Sequence, residues 1–438
     1  MNLILLSGGS GKRLWPLSND VRSKQFLKIF KRPGGTYESM VQRIFRQVHE
    51  VEPQAQILIT TSRSQVSALH NQLGEHVDVC IEPSRRDTFA AIALACSYLH
   101  EIRKMPLDEA VVVCPVDPYV NNDYFEMLQK IYQRAKESEQ GLVLMGIEPT
   151  YPSEKYGYII PKTKDPVSLV ECFKEKPDAE TAAGYIAQGA LWNGGVFGFK
   201  IGHVLQKAEE LLSFSGYQDL YDHYDAVQKI SFDYAFVEKE PHIEVLRFQG
   251  QWLDAGTWNT LSKVMTDPVI GQGELDETCE DTTVVNELNL PILCMGLKNV
   301  VVAASPDGIL VADKDRSSYM KPYVDKLEQP ARFAEKSWGS YEVLDVQKAS
   351  MTILVTLKPG SRMNYHSHDH RNEIWAVLSG NGETVVDGMK QPVKPGDVIT
   401  IEAGCRHTII ALSELKVIEV QLGEEISVHD KHKYSLDE

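Results

Sequence analysis

The stretch that decides the fold is Asn2-Leu3-Ile4-Leu5-Leu6 running into Ser7-Gly8-Gly9-Ser10-Gly11-Lys12-Arg13-Leu14. A short apolar run reads as a strand, and glycines at its end let backbone N–H groups approach an anion with no side chain in the way. Phosphate is the natural guest. The loop is not a Walker loop: Arg13 stands where Ser or Thr would bind Mg²⁺, and Leu6 replaces the leading glycine. Nor is it the dinucleotide fingerprint, since Leu14 occupies the third glycine position. A glycine-rich loop is often only a turn. The cationic company of Lys12, Arg13 and Lys24, the last within Arg22-Ser23-Lys24-Gln25-Phe26-Leu27, favours the anion-binding reading, although a lone Lys is usually a solvated surface charge.

Outward from this stretch, short apolar runs alternate with longer amphipathic ones to about residue 265, the pattern of an α/β sheet wound with helices. Strands are expected at Asn2–Leu6, Gln56–Ile59, Val111–Val116, Leu142–Gly146 and Val196–Lys200, with helices over Thr88–Arg103 and Tyr124–Glu137. After Trp258 the runs become short and β-branched (Thr282–Val285, Ile292–Leu297, Val300–Ala304, Ile309–Ala312), a small β connector that ends in the charged segment Asp313–Lys336. From Trp338 to Gln421 alternation with Gly and Pro turns predicts an all-β barrel. The expected regions are therefore residues 1–265, 266–330 and 331–438.

Of 438 residues, 43% are hydrophobic and 24% charged, which excludes disorder, collagen and coiled coil. With 45 Lys and Arg against 61 Asp and Glu, the net charge is −16 and no basic run could grip a polyanion, so nucleic acid is not an expected partner. Seven cysteines without a CxxC pair read as reduced thiols in a cytosol. Neither a signal peptide nor a membrane span is expected.

Two aspartates suit a cation. Asp117 ends the apolar run Val111–Val116, where ligands of open α/β sheets sit, and Asp254 lies beside the small pair Ala255-Gly256. Two carboxylates with phosphates and water make a sensible Mg²⁺ site. Taken singly, Asp117 before Pro118 could equally be a turn residue and Asp254 a helix cap.

Gly8-Gly9-Ser10-Gly11-Lys12-Arg13-Leu14-Trp15-Pro16-Leu17-Ser18, followed by Lys24-Gln25-Phe26-Leu27, closely resembles the signature of the mannose-1-phosphate guanylyltransferases. The resemblance implies a Rossmann-like nucleotidyltransferase domain whose loop (Gly8, Gly9, Gly11) cradles the nucleotide phosphates, with Arg13 and Lys24 neutralising them and Asp117 and Asp254 holding Mg²⁺. Ser23 stands where the family usually has Pro, and Pro118 where many members have His. Glu82-Pro83-Ser84-Arg85-Arg86-Asp87-Thr88 resembles the family's guanine-recognition stretch, which assigns Pro83, Arg86, Asp87 and Thr88 to the nucleotide; Thr88 could instead cap the following helix. Three further stretches match the sugar-side motifs in order: Tyr156-Gly157-Tyr158, Phe173-Lys174-Glu175-Lys176-Pro177 and Trp192-Asn193-Gly194-Gly195. There Gly157 makes room, Glu175 accepts from sugar hydroxyls, Lys176 pairs with the phosphate and Asn193 serves both. Ser231-Phe232-Asp233-Tyr234-Ala235 also fits, and its expected role is structural.

Near the C-terminus, Gly360, His366, His368, Glu373 and Gly380 have the spacing of the first cupin motif, and His407 follows at the place of the second. Alternate residues of a strand share a face, so His366, His368, Glu373 and His407 read as a divalent-metal site suited to Zn, Fe or Mn, the alternative being satisfied or exposed histidines. This part resembles the type II mannose-6-phosphate isomerase domain often fused to the guanylyltransferase, with His366 replacing the common Gln. The expected function is GMP transfer from GTP to mannose 1-phosphate by a cytoplasmic homodimer. Two alternatives stand beside it: a bifunctional enzyme whose cupin also isomerises mannose 6-phosphate, and a silent sugar-nucleotide-binding regulator.

Overall fold

The computed structural model describes residues 1–9, 12–19, 21–138, 141–327, 330–424, 426–427 and 429–436, with Lys12 described for its backbone alone. The chain divides into two compact units, Met1–Gly11 with Ser23–Thr266, and Lys12–Arg22 with Asp267–Glu438.

The first unit holds β1 (Asn2–Leu6), α1 (Met40–Val51), β2 (Gln56–Ser62), β3 (Asp78–Glu82), α2 (Asp87–Ser97), β4 (Ala110–Pro115), β5 (Pro118–Val120), α3 (Asn122–Glu137), β6 (Leu142–Ile147), β7 (Tyr158–Pro161), β8 (Val167–Lys174), β9 (Leu191–Lys200), α4 (Phe232–Ala235), β10 (Ile243–Phe248) and β11 (Trp252–Asp254). One mixed sheet runs β3-β2-β1-β4-β9-β6-β10-β8-β7. Its middle is apolar on both faces: Ala110–Cys114 of β4 and all of β6 are buried, as strands covered on both sides must be. Helix α2 is apolar all round and buried from Phe89 to Ser97, and it continues as one π turn, Tyr98–Ile102. Helix α1 is amphipathic and opens on a Ser39/Gln42 capping box.

Strand β1 lies parallel between β2 and β4. The chain leaves β1 through the glycine loop and leaves β4 through Asp117, so a crevice opens where neighbouring connections diverge. Strands β5 and β11 form a separate antiparallel ribbon that sets Asp254 opposite Pro118.

In the second unit the connector is a sheet of Val269–Ile270, Thr283–Asn286, Val300–Ser305 and Gly308–Asp313, beside a parallel pair, Gly273–Leu275 and Ile292–Cys294. The barrel follows as a six-stranded and a five-stranded sheet between Phe333 and Tyr434, closed around Trp375, Leu357, Leu415 and Ile409. Where the sequence suggests three regions, connector and barrel group together. They also take in Lys12–Arg22, part of the opening signature. Trp15 lies so close over Gly308 that a Cβ there would come within 2.6 Å of its ring. Ser305 donates to the Pro16 carbonyl at 2.7 Å, and Arg22 grips Glu287 with both terminal nitrogens at 2.6 and 2.9 Å. Trp15, Pro16 and Arg22 are thus bound by partners near residue 300, which no local pattern could announce.

Candidate active site

Lys24 opens a single 3-10 turn, and its ammonium stands 2.8 Å from Asp117 Oδ2 and 3.8 Å from Asp254 Oδ1. Next to it, Gln25 donates to the Ser7 carbonyl at 2.8 Å, tying this turn to the base of the glycine loop. Asp254 Oδ1 also accepts the Gly256 N–H at 3.0 Å, and a Cβ on Gly256 would come within 2.7 Å of that oxygen and 2.9 Å of Lys24 Nζ. The small residue is what allows the close approach. With side chains 41% and 39% exposed, the two carboxylates stay open to ligands while Lys24 offsets their repulsion. Hard oxygens that converge on one positive charge and remain accessible fit Mg²⁺.

Beside them is a cavity of about 210 Å³ lined by Asp117, Asp254, Gly157, Glu175, Asn193 and Asp233, among others. Gly157 is required there: a Cβ would lie 2.5 Å from Glu175 Oε2 and 2.8 Å from the Phe173 ring. The Lys176 ammonium pairs with Glu175. Asn193 is held at both ends, its amide donating to Asp233 at 2.6 Å and its carbonyl oxygen accepting from Gly195 N–H at 3.0 Å. Asp233 therefore lines this cavity while it braces Asn193. Burial, reinforced by the Glu175 charge, pushes its carboxyl up to about 6. Tyr156, Trp192 and Trp252 form an aromatic cluster with ring centroids 4.9–6.3 Å apart, and Tyr156 and Trp252 face the cavity. Such faces suit the C–H side of a sugar ring. The sequence reading passed over Trp252, although it stands two residues before Asp254.

On the loop side, a Cβ at Gly8 would lie 2.9 Å from Glu82 Oε1, whereas Gly9 has nothing within 4 Å of such an atom; Gly11 lies outside the described residues. Glu82, absent from the expected site, closes β3 just before Pro83. It is buried and hydrogen-bonded by the Tyr224 hydroxyl at 3.0 Å, and desolvation pushes it up to about 7. Its signal in sequence was an acid ending a strand. Asp87 opens α2 at a φ of 67° and accepts from Thr88 N–H at 2.8 Å. Arg86 donates to the Tyr224 carbonyl at 3.2 Å and pairs with Asp225 at 3.5 Å. Thr88 does not cap its own helix: its hydroxyl oxygen accepts the Phe232 N–H of α4 at 2.8 Å. Arg86 and Thr88 thus hold the segment that presents Asp233. Arg13 is exposed on the turn Lys12–Leu14 of the second unit.

Within the barrel, His366, His368, Glu373 and His407 are buried, with one ligand atom of each inside 4.8 Å of the others. His366 is the register partner of His407 on the adjacent strand. Each imidazole Nδ1 faces a backbone carbonyl: Asn364 at 2.6 Å, Asp430 at 2.5 Å and Cys405 at 2.9 Å. Those bonds require Nδ1–H and turn each Nε2 inward, where that of His368 also accepts from the buried Arg371 guanidinium at 3.0 Å. Burial drives the His366 ring towards its neutral form, down to about 2. A neutral-imidazole and carboxylate set fits a divalent transition metal.

Residues 2–268 match the nucleotidyl transferase family, and residues 353–421 match the cupin domain. The chain belongs to the nucleotidyl transferase family. It is 31% identical over 466 residues to the xanthan biosynthesis protein XanB of Xanthomonas campestris pv. campestris, covering 98% of this chain and 96% of that one. It is 27% identical over 474 residues to a mannose-1-phosphate guanylyltransferase of Escherichia coli K12, covering 99% and 97%. Among solved structures it resembles a Thermus thermophilus protein described as a mannose-1-phosphate geranyltransferase, with 29% identity, 75% of this chain, 99% of that one and a TM-score of 0.63. The nucleotidyltransferase fold and the cupin barrel are both as the sequence suggested. Among the described residues no helix is long and apolar enough to cross a membrane.

Proposed function

We propose that the protein transfers GMP from GTP to mannose 1-phosphate, giving GDP-mannose and pyrophosphate. The observation that carries this reading is the convergence of Lys24 on Asp117 and Asp254 at the edge of the cavity holding Glu175 and Asn193. The guanylyltransferases among its full-length relatives support it. An oxygen of the sugar phosphate attacks the α-phosphorus in line, the bond to pyrophosphate breaks, and no covalent enzyme intermediate forms. The protein's task is to bring two anions together. Lys24 offsets charge on the nucleotide side and Lys176 on the sugar phosphate, while Glu175, Asn193 and Asp233 orient the hydroxyls. Asp117 and Asp254 would hold Mg²⁺, which supplies further charge neutralisation when bound. Gly8, Gly9, Pro83 and Asp87 line the nucleotide path, and Arg13 is the remaining cation of the motif. To test this, the full chain is mixed with Mg²⁺, mannose 1-phosphate and each of the four NTPs, and pyrophosphate release is followed. GTP alone should support release, and Asp254→Ala should abolish it; release with a different NTP would overturn the base assignment.

A second activity, interconversion of mannose 6-phosphate and fructose 6-phosphate, is favoured by one observation, the buried cluster of His366, His368, Glu373 and His407 with ligand atoms within 4.8 Å of one another. The full chain supplied with Zn²⁺, Mn²⁺ or Fe²⁺ should then form fructose 6-phosphate, and His407→Ala should not.

A further inference from the structure

We propose a second anion site in the first unit, apart from the catalytic cavity: an open basin of about 630 Å³ that takes a phosphate-bearing small molecule and acts on the aspartates through β5. Lys31, Arg32, Arg43, Arg46 and Asn122 stand around it with one carboxylate, Glu50, and it shares no lining residue with the cavity of Asp117 and Asp254.

The charge arrangement points to an anion. Glu38, 1% exposed, receives Arg46 through Nε at 3.1 Å and Nη2 at 2.6 Å, and Arg46 also takes Glu50 at 2.7 Å. One guanidinium thus makes the close bonds to both neighbouring carboxylates. Arg32 and Arg43 nevertheless crowd the same spot, only 3.5 and 3.9 Å from Glu38. Concentrating guanidiniums in a concavity costs self-repulsion, unusual in a chain of net charge −16, and a phosphate offsets it because its oxygens match the planar fork.

The same side chains hold the strand between the two aspartates. Arg43 Nη2 and Gln47 Nε2 both donate to the Val120 carbonyl at 3.2 Å, and the Arg43 guanidinium lies 4.4 Å over the Tyr119 ring. Tyr119 and Val120 belong to β5, which follows Asp117 directly and pairs with Asp254. An anion that recruits Arg43 withdraws it from β5 and loosens the ribbon that sets the two carboxylates. That difference in contacts between free and occupied states couples the sites, and its sign is inhibitory.

The test uses the full chain with inorganic phosphate and GDP as probes, comparing wild type with Arg32→Glu, a reversal at a side chain 46% exposed. By titration calorimetry phosphate should bind wild type, and Arg32→Glu should weaken it at least about tenfold, the loss of one charge-assisted hydrogen bond. Equal affinity in the two proteins overturns the proposal. Turnover without phosphate should match in both. Phosphate should inhibit only wild type, and without competing with GTP or the sugar phosphate; competition with GTP would place phosphate in the catalytic cavity and also overturn it. If the Arg32-sensitive binding is tighter for GDP than for phosphate, the occupant is a nucleotide; if it is seen with phosphate alone, it is the free anion. The binding arm reads the basin whether or not the chain makes GDP-mannose.

Discussion

Gly157→Ala isolates the sugar side of the cavity. A methyl group there would stand 2.5 Å from Glu175 Oε2, where ordinary contact begins near 3.4 Å, so the carboxylate must retreat by about 0.9 Å (3.4 − 2.5). That oxygen is the far end of a flexible side chain, so the fold should absorb the change. The Phe173 edge, 2.8 Å away, must also give slightly, and such overpacking costs about 1–3 kcal/mol. The larger effect is functional. A carboxylate misplaced by about 1 Å loses its charge-assisted hydrogen bond to a hydroxyl, about 1.5–3 kcal/mol, or roughly ten- to a hundredfold in kcat/KM. Pyrophosphate release at saturating GTP with varied mannose 1-phosphate should show this loss, with KM for GTP unchanged and the purified variant folded by circular dichroism. Gly9→Ala is the companion measurement: nothing lies within 4 Å of a Cβ there, so any effect must come from a ligand approaching the loop, and it should appear in KM for GTP. A folded Gly157→Ala enzyme with wild-type kinetics towards the sugar phosphate would refute the placement of Glu175 on the sugar.

Thr88→Val keeps shape but removes the acceptor for the buried Phe232 N–H, so thermal unfolding should show a loss of about 1–3 kcal/mol and the KM for the sugar phosphate should rise through Asp233; a rise in KM for GTP alone would instead put this hydroxyl on the nucleotide. Glu82 is raised by burial from 4.5 to about 7, so the native state holds its proton more tightly than the unfolded chain; this stabilisation is complete below about pH 4.5 and lost as pH rises through 7. Unfolding free energies from urea titration should therefore fall between pH 5 and pH 8 by up to roughly 3 kcal/mol more in wild type than in Glu82→Gln, and parallel curves would remove the buried-proton argument. Chain stripped by chelator and reloaded should take up one divalent transition metal in the barrel and melt at higher temperature, and His407→Ala should lose both responses, read by metal analysis and calorimetry.

Much of the first unit was legible because its signals are local. The run at Asn2–Leu6, the triple valine of β4 and the apolar α2 could hardly be anything but a strand, a doubly covered strand and a buried helix. The spacing of His366 and His368 with Glu373 beyond likewise marked three ligands, which the barrel gathers from the end of one strand and from a strand of its other sheet. A polar residue's partner carries no such signal. Thr88 looked like either a base contact or the cap of its own helix, and its oxygen went to a helix more than a hundred residues away. Asp233 sits in a short helix that reads as structure, and only the strand bearing Asn193 turns it into a wall of the cavity. Lys24 was one cation among several until the β5·β11 ribbon brought both aspartates to its ammonium. Lys12–Arg22 reads as one piece with the glycine loop, yet Glu287, Ser305 and Gly308 hold it in the other unit. Periodicity and glycine placement are dictated by backbone geometry over a few residues, so the sequence by itself determines the elements and the kind of chemistry each can offer. Which carboxylate meets which cation depends on long-range register and on the packing that excludes water between them, and those exist only once the sheets have closed.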